Sequence, residues 1–335
     1  MPGRAVMLRT IGGPAGLAVL LAAVLALPFF AGAYGSRVGG TILMYIALAQ
    51  SWNLIGGYVG LMSLAHSAFF GLGALGATIL LLNGAPVLLA AAGGILLASV
   101  LALLIGAPTL RLQGHYFVIA TLIVSEALLN GARNLNIFGF HGAISQNIGA
   151  FTGLQDLSAV EYNRLFYYIM AGLAGMAMLL VALVERSRWG LALKAIRDAE
   201  GAASAIGIPV AGVKLAIFVL SAAIAAAVGI TSSIWLGTFD TTSAFDLAVT
   251  FQVIVMVFLG GRGTVWGPVI GVFLVFTLNE FIGVEFAEIS TIISGVIVVA
   301  IVLLQPDGLI EVMRRGPVAL SPRVILGNFR RYKVD

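Results

Sequence analysis

Apolar residues run through this chain in long blocks, not in the alternation of a half-buried strand or the single stripe of a surface helix. A helix needs about 20 mostly apolar residues to cross a bilayer. Ten blocks predict spans at 14–32, 39–56, 61–83, 86–107, 115–132, 162–184, 211–236, 245–261, 265–284 and 289–305. Only glycine-rich breaks, GGYVG and GGRGTVWG, separate the second block from the third and the eighth from the ninth. Either break could be a re-entrant turn, provided protein or water satisfies its backbone groups. The predicted fold class is therefore all-α: a polytopic transmembrane helical bundle of about ten spans, or eight to ten if some helices are bent. Arg4 and Arg9 precede the first block, and small residues follow it in AGAYGSRVGG. That block reads as a retained helix in preference to a cleaved signal peptide.

Charge tests the count. With the N-terminus in the cytoplasm, ten spans return the C-terminus to the same side. Of the 18 basic residues, Arg37, Arg133 and Arg164 then fall outside and the other 15 inside. That asymmetry is what the positive-inside rule requires, and it places both termini in the cytoplasm. Two connections exceed turn length: an outer loop at 133–161, polar and rich in glycine, and an inner loop at 185–210. A short basic tail occupies 307–335. No soluble domain fits between the blocks, so residues 1–335 read as a single transmembrane domain.

Composition removes several classes of function. Of the residues, 60% are hydrophobic and 10% charged, against about one quarter charged in a soluble domain. The 42 glycines suit close helix packing in a membrane. The chain has no cysteine, so disulfides and thiolate chemistry are out. The net charge of +4 marks a membrane face and not nucleic-acid binding. His66, His115 and His141 lack metal-ligand spacing, and no catalytic constellation emerges. Gly260-Gly261-Arg262-Gly263 lacks the Gly-Lys-Ser/Thr ending of a phosphate-binding loop, and no such ending occurs in the chain.

The inner loop reads ERSRWGLALKAIRDAEGAASAIGIPV. Trp189, Leu193, Ile196 and Ala203 recur at helical spacing, with Lys194, Arg197 and Asp198 opposite, and Gly207 and Pro209 end the pattern. A short amphipathic helix is predicted, either lying on lipid headgroups or docking into a soluble partner. The run SRWGLALKAIRDAEGAASAIGIPVAGVKLAIFVLSAAIAAAVG resembles the cytoplasmic loop and following helix of the LivM-type permeases of branched-chain amino-acid ABC importers. GYVGLMSLAHSAFFGLGALGA at 57–77, TLRLQGHYFVIATLIVSEAL at 109–128 and VMVFLGGRGTVWGPVIGVFL at 255–274 resemble the same family, in order, over about residues 40–310. In that family the loop carries an EAA-type motif ending in glycine, which Ala202, Ala203 and Gly207 match. Glu200 stands one place early, with Gly201 where the acid usually is.

The resemblance implies that this helix sits in a cleft of a cytoplasmic ATPase and passes on the closure driven by ATP. It also implies a heterodimer with a second related permease, two cytoplasmic ATPase subunits that hold the ATP and magnesium, and an extracytoplasmic solute-binding protein. The chain itself would bind no cofactor and hydrolyse nothing, and it would sit among lipid as a multi-pass protein of the bacterial inner membrane. Urea and short amides are alternative substrates within the family. An ion-coupled carrier is a rival, but it usually shows inverted repeats, and none is evident. A polytopic enzyme would need clustered acids or histidines at one membrane face.

Polar residues inside spans cost free energy, about 2.5–3.5 kcal/mol for a central charge on insertion scales, and so mark a pathway or an interhelical bond. Glu126 is the most deeply placed acid, and Asn130 follows at i+4 on the same face. Gln50, Asn53 and His66 are further candidates for a translocation pathway, with Gln252, Asn279 and Glu280 beside them. Ser63, Ser67 and Gly71 recur every four residues, as do Gly263, Gly267 and Gly271. Each set predicts a ridge of small residues for helix packing.

Overall fold

The computed structural model describes residues 22, 24–30, 32–112, 114–285 and 309–310, with the side chains of 279–285 left aside. Helix α1 (Gly32–Asn53) runs into a π-helical turn (Leu54–Val59), and α2 (His66–Leu82) and α3 (Val87–Thr109) follow. Helix α4 (His115–Arg133) leads into a loop with a two-residue hairpin, β1 (Asn136–Ile137) against β2 (Phe140–His141). Next come β3 (Gln146–Asn147), α5 (Ala159–Arg186), α6 (Arg188–Asp198), α7 (Glu200–Ala205) and α8 (Val210–Leu236). β4 (Thr238–Phe239) pairs antiparallel with β3, and α9 (Thr241–Ala244), α10 (Leu247–Gly260) and α11 (Trp266–Glu285) complete the order.

Six segments are long and apolar enough to span: Gly32–Val59, Val87–Thr109, His115–Arg133, Ala159–Arg186, Val210–Leu236 and Thr241–Gly260. His66–Leu82 and Trp266–Leu278 are shorter apolar helices. All eight fall on blocks expected from the pattern. The tenth expected span, 289–305, lies outside the described residues, as do nearly all of the tail and most of the first block.

Local sequence sets the helix starts. Ser158 and Glu161 form a reciprocal capping box before α5, and Asp246 accepts the Ala248 amide before α10. Ser187 accepts the Trp189 amide before α6. Pro86 and Pro209 stand just ahead of α3 and α8, where a missing amide hydrogen costs nothing.

The core lies between α1, α2, α8 and α10. The Phe69 and Phe218 rings meet edge to face at 5.2 Å, with Phe117 of α4 6.5 Å from Phe218. Glycine permits the closest crossings. A Cβ on Gly94 of α3 would strike the Gly73 carbonyl of α2, and one on Gly229 of α8 would strike the Phe70 carbonyl. In lipid, where apolar burial drives little, such backbone proximity is a main source of helix association.

The two anticipated ridges are shorter than the sequence suggests. Gly60 adopts φ +83° and ends the π turn, and the chain then runs non-helically to Ala65, so Ser63 precedes α2 and only Ser67 and Gly71 lie on it. Gly71 faces the Phe245 ring. Gly263, at φ +70°, likewise precedes α11, leaving Gly267 and Gly271 on the helix. A Cβ on either would strike the backbone of the α10 end, at Gly261 and Met256 respectively.

Candidate functional site

Two interruptions of helical structure meet the loop between α5 and α8 at one end of the bundle. The first is residues 54–65. The later half of its non-helical part is enclosed, with Ser63, Leu64 and Ala65 buried, while Gly60 and Met62 are exposed. Backbone buried away from water must find partners, and here neighbouring helices supply them. The Leu64 amide donates to Thr121 Oγ1 at 3.1 Å, and Ser125 Oγ donates to the Leu64 carbonyl at 2.9 Å. Trp52 Nε1 donates to the Ser63 carbonyl at 2.9 Å, and the Ser67 amide donates to Thr250 Oγ1 at 2.8 Å.

The second interruption, 261–265, is stapled to the end of α1. Asn53 Nδ2 donates to the Thr264 carbonyl at 2.9 Å, while Asn53 Oδ1 accepts the Gly263 amide at 2.8 Å. Gln50 Nε2 donates to the Val265 carbonyl at 2.6 Å. These two polar residues, candidates for a pathway on sequence alone, thus bind backbone between α10 and α11. Gln252 also ties helices together, accepting the Tyr45 hydroxyl at 2.8 Å.

The loop between α5 and α8 grips both interruptions. The single amphipathic helix expected over 189–207 is divided at Ala199, where φ −158° and ψ 93° leave the helical region. Leu193, Ile196 and Ala203 are buried against the bundle, whereas Trp189 is 42% exposed. Arg197 Nη1 donates to the Gly57 carbonyl at 3.4 Å and lies beside Gly263. Tyr58 donates to Glu185 Oε2 at 3.1 Å, and Glu185 Oε1 in turn pairs with Lys194 at 3.5 Å. On the far side, Glu200 Oε2 pairs with Lys214 Nζ at 2.7 Å; Lys214 is 2% exposed and Glu200 40%. The loop is thereby tied to both helix interruptions and to the start of α8.

The expected docking residues divide. Ala202 and Gly207 are exposed, with Gly207 at φ +87°, whereas Ala203 is buried within this chain and Glu200 is turned toward α8. Of the pathway candidates, His66 is enclosed, its ring edge-on to Phe69. Glu126 and Asn130 stay together on an exposed face of α4, where Asn130 Nδ2 donates to the Glu126 carbonyl at 2.8 Å. The side chains of Asn279 and Glu280 lie outside the described residues. Tyr58, Glu185 and Lys214 escaped the sequence reading as binding partners. A lysine five residues after Pro209, entering a long apolar run, was the available sign that an acid must be near.

No group of three or more histidines, cysteines and acids capable of holding a metal occurs among the described residues. Residues 34–302 match the family described as branched-chain amino acid transport system permease component. The chain is 28% identical over 324 residues to a Salmonella typhimurium strain LT2 protein, an alignment covering 89% of this chain and 75% of that protein. That relative is named high-affinity branched-chain amino acid transport system permease protein LivM. The Escherichia coli K12 protein of the same name aligns with the same identity and coverage. A Methanocaldococcus jannaschii protein, named probable branched-chain amino acid transport permease protein LivM, is 27% identical over 235 residues, 64% of this chain and 67% of that one. No solved structure matches the chain.

Proposed function

Since the chain belongs to the family of permease components of branched-chain amino acid transport systems, we propose that it passes branched-chain or other hydrophobic amino acids across the membrane under the drive of partner ATPases. It is a permease subunit of an ABC importer and a multi-pass protein of the inner membrane. In this reading residues 1–335 form one permease domain with both termini in the cytoplasm, and 185–210 is its coupling loop. The partners are a second related permease, two cytoplasmic ATPases that bind ATP with magnesium, and an extracytoplasmic binding protein.

The family match carries the reading, and the arrangement around the loop supplies its mechanics. Exposed Ala202 and Gly207 offer a close-approach surface for an ATPase, while Glu200 and Arg197 attach the opposite side to the bundle. Movement of the loop by a partner would pull on the ends of α1, α8 and α10 together. Gln50 and Asn53 transmit that movement between interruptions through their bonds to the 263–265 backbone. Ala203 stabilises the loop from within.

The test is reconstitution of the co-expressed complex in proteoliposomes with its binding protein. Leucine, isoleucine or valine is expected to stimulate ATP hydrolysis and to accumulate inside. Stimulation by urea or a short amide alone would move the substrate to that class, and uptake independent of ATP would overturn the ABC mechanism.

A further inference from the structure

Three helices present long exposed faces, and one of them does not suit lipid. The residues that α3 exposes are apolar throughout, among them Leu88, Leu96, Val100 and Leu103. After its first turn α5 exposes Ile169, Gly172, Gly175, Met176, Leu179 and Leu183 until Arg186 at its end, so open glycines are shared with α4 but no charge interrupts the face. Helix α4 differs. It buries Phe117, Thr121, Ser125 and Ala132, and it exposes Ile119, Ile123, Glu126, Ala127, Asn130 and Gly131.

Depth makes the difference consequential. Glu126 is seven residues before Arg133, about 10 Å along the axis of a helix that is itself roughly 28 Å long. A carboxylate at that depth cannot remain against acyl chains, and such groups face protein or a watery cavity. Beside it, Ala127 and Gly131 stand four apart, and a Cβ on Gly131 would meet nothing within 4 Å. Small residues at that spacing let a second helix approach closely, while a buried polar group holds it by hydrogen bonding.

We propose that the Glu126–Ala127–Asn130–Gly131 face of α4 is where the second membrane subunit packs, and that this subunit presents a hydrogen-bond donor to Glu126. The occupant is a different chain and not a copy of this face, because two copies meeting across a two-fold axis would bring one acid against the other in the hydrocarbon. The proposal rests on the permease reading above, since it takes the second permease of that complex as the partner.

The absence of native cysteine makes the test direct. Ile123→Cys and Ala127→Cys, each carrying a nitroxide spin label, are compared in the purified complex reconstituted into liposomes with Leu96→Cys and Leu179→Cys. Oxygen dissolved in the bilayer and a water-soluble nickel chelate serve as the relaxing agents. The expected result is severalfold lower oxygen accessibility at 123 and 127 than at 96 and 179, with low nickel accessibility. Loss of the second permease on labelling position 127, with the melting temperature of this chain alone unchanged, also supports the interface. An intact complex in which 123 and 127 meet oxygen as freely as 96 and 179 overturns it in favour of lipid. An intact complex with high nickel accessibility there overturns it in favour of a water-lined route. If the unlabelled complex contains no second membrane subunit, the heterodimer reading itself fails, separately from the location of the face.

Discussion

Lys214 Nζ lies 2.7 Å from Glu200 Oε2, and the lysine is nearly enclosed whereas the acid is partly open to solvent. Removing the acid alone strands a buried ammonium; removing both charges does not. Glu200→Ala is expected to destabilise the purified chain by on the order of 2 kcal/mol, below the full cost of breaking a wholly buried pair because the acid is part-exposed. The Glu200→Ala/Lys214→Met double variant should recover most of the loss in thermal melting. Equal melting of the single and double variants would show that the pair does not hold the loop.

Asn53 engages the 261–265 interruption through both atoms of its amide. Asn53→Leu leaves the Gly263 amide and the Thr264 carbonyl without that partner, at about 1–3 kcal/mol for a group left buried and unsatisfied. Uptake and melting temperature should fall together. Asn53→Asp keeps the acceptor for Gly263 but buries a charge with an oxygen facing the Thr264 carbonyl, so its melting temperature should fall at least as far as that of the leucine variant. Wild-type uptake in Asn53→Leu would sever the interruption from the transport cycle.

Ala202 and Ala203 are neighbours with opposite environments, and that separates docking from folding. Ala202→Arg places a bulky cation on the exposed side of α7. It is expected to detach or uncouple the ATPases in co-purification and stimulated hydrolysis, with the melting temperature of the isolated chain unchanged. Ala203→Arg should lower that melting temperature. Normal assembly and coupling in Ala202→Arg would remove this face from the ATPase contact.

Orientation is read by labelling single cysteines with a membrane-impermeant maleimide. Ser145→Cys and Gln155→Cys should react from outside in intact cells. Asp198→Cys and Leu320→Cys should react only after permeabilisation. Reaction at position 198 from outside would reverse the topology and abolish the coupling role of the loop.

Much of the architecture was legible because lipid imposes a simple rule of length and apolarity. Six described segments meet that rule, two shorter apolar helices fall on blocks it marked, and Ser158, Asp246 and Pro209 announce their own helix starts. Long-range pairing was not legible. Gln50 and Asn53 look alike on sequence whether they line a path or bind a backbone 210 residues away, as Asn53 does with Gly263. Ser63 kept the four-residue spacing of Ser67 and Gly71, yet the left-handed Gly60 moved it off the helix. Thr121 and Ser125 share one face of α4 by their spacing alone, but what they serve becomes visible only once Leu64 lies against them.

The enclosed segment around Leu64 has a consequence for how the chain is assembled during synthesis. Residues 61–65 leave the ribosome before Thr121, Ser125 and Thr250 exist, and those later residues supply partners for the Leu64 and Ser67 backbones. In acyl chains an unpaired peptide group has nowhere to turn. Until α4 arrives, the region between α1 and α2 must therefore rest in another place: in the aqueous part of the insertion machinery, at the interface, or as temporary helix. The native break is a late structure, set when the fourth and tenth helices close on it, so a chain arrested before α4 should lack it even with α1 and α2 complete.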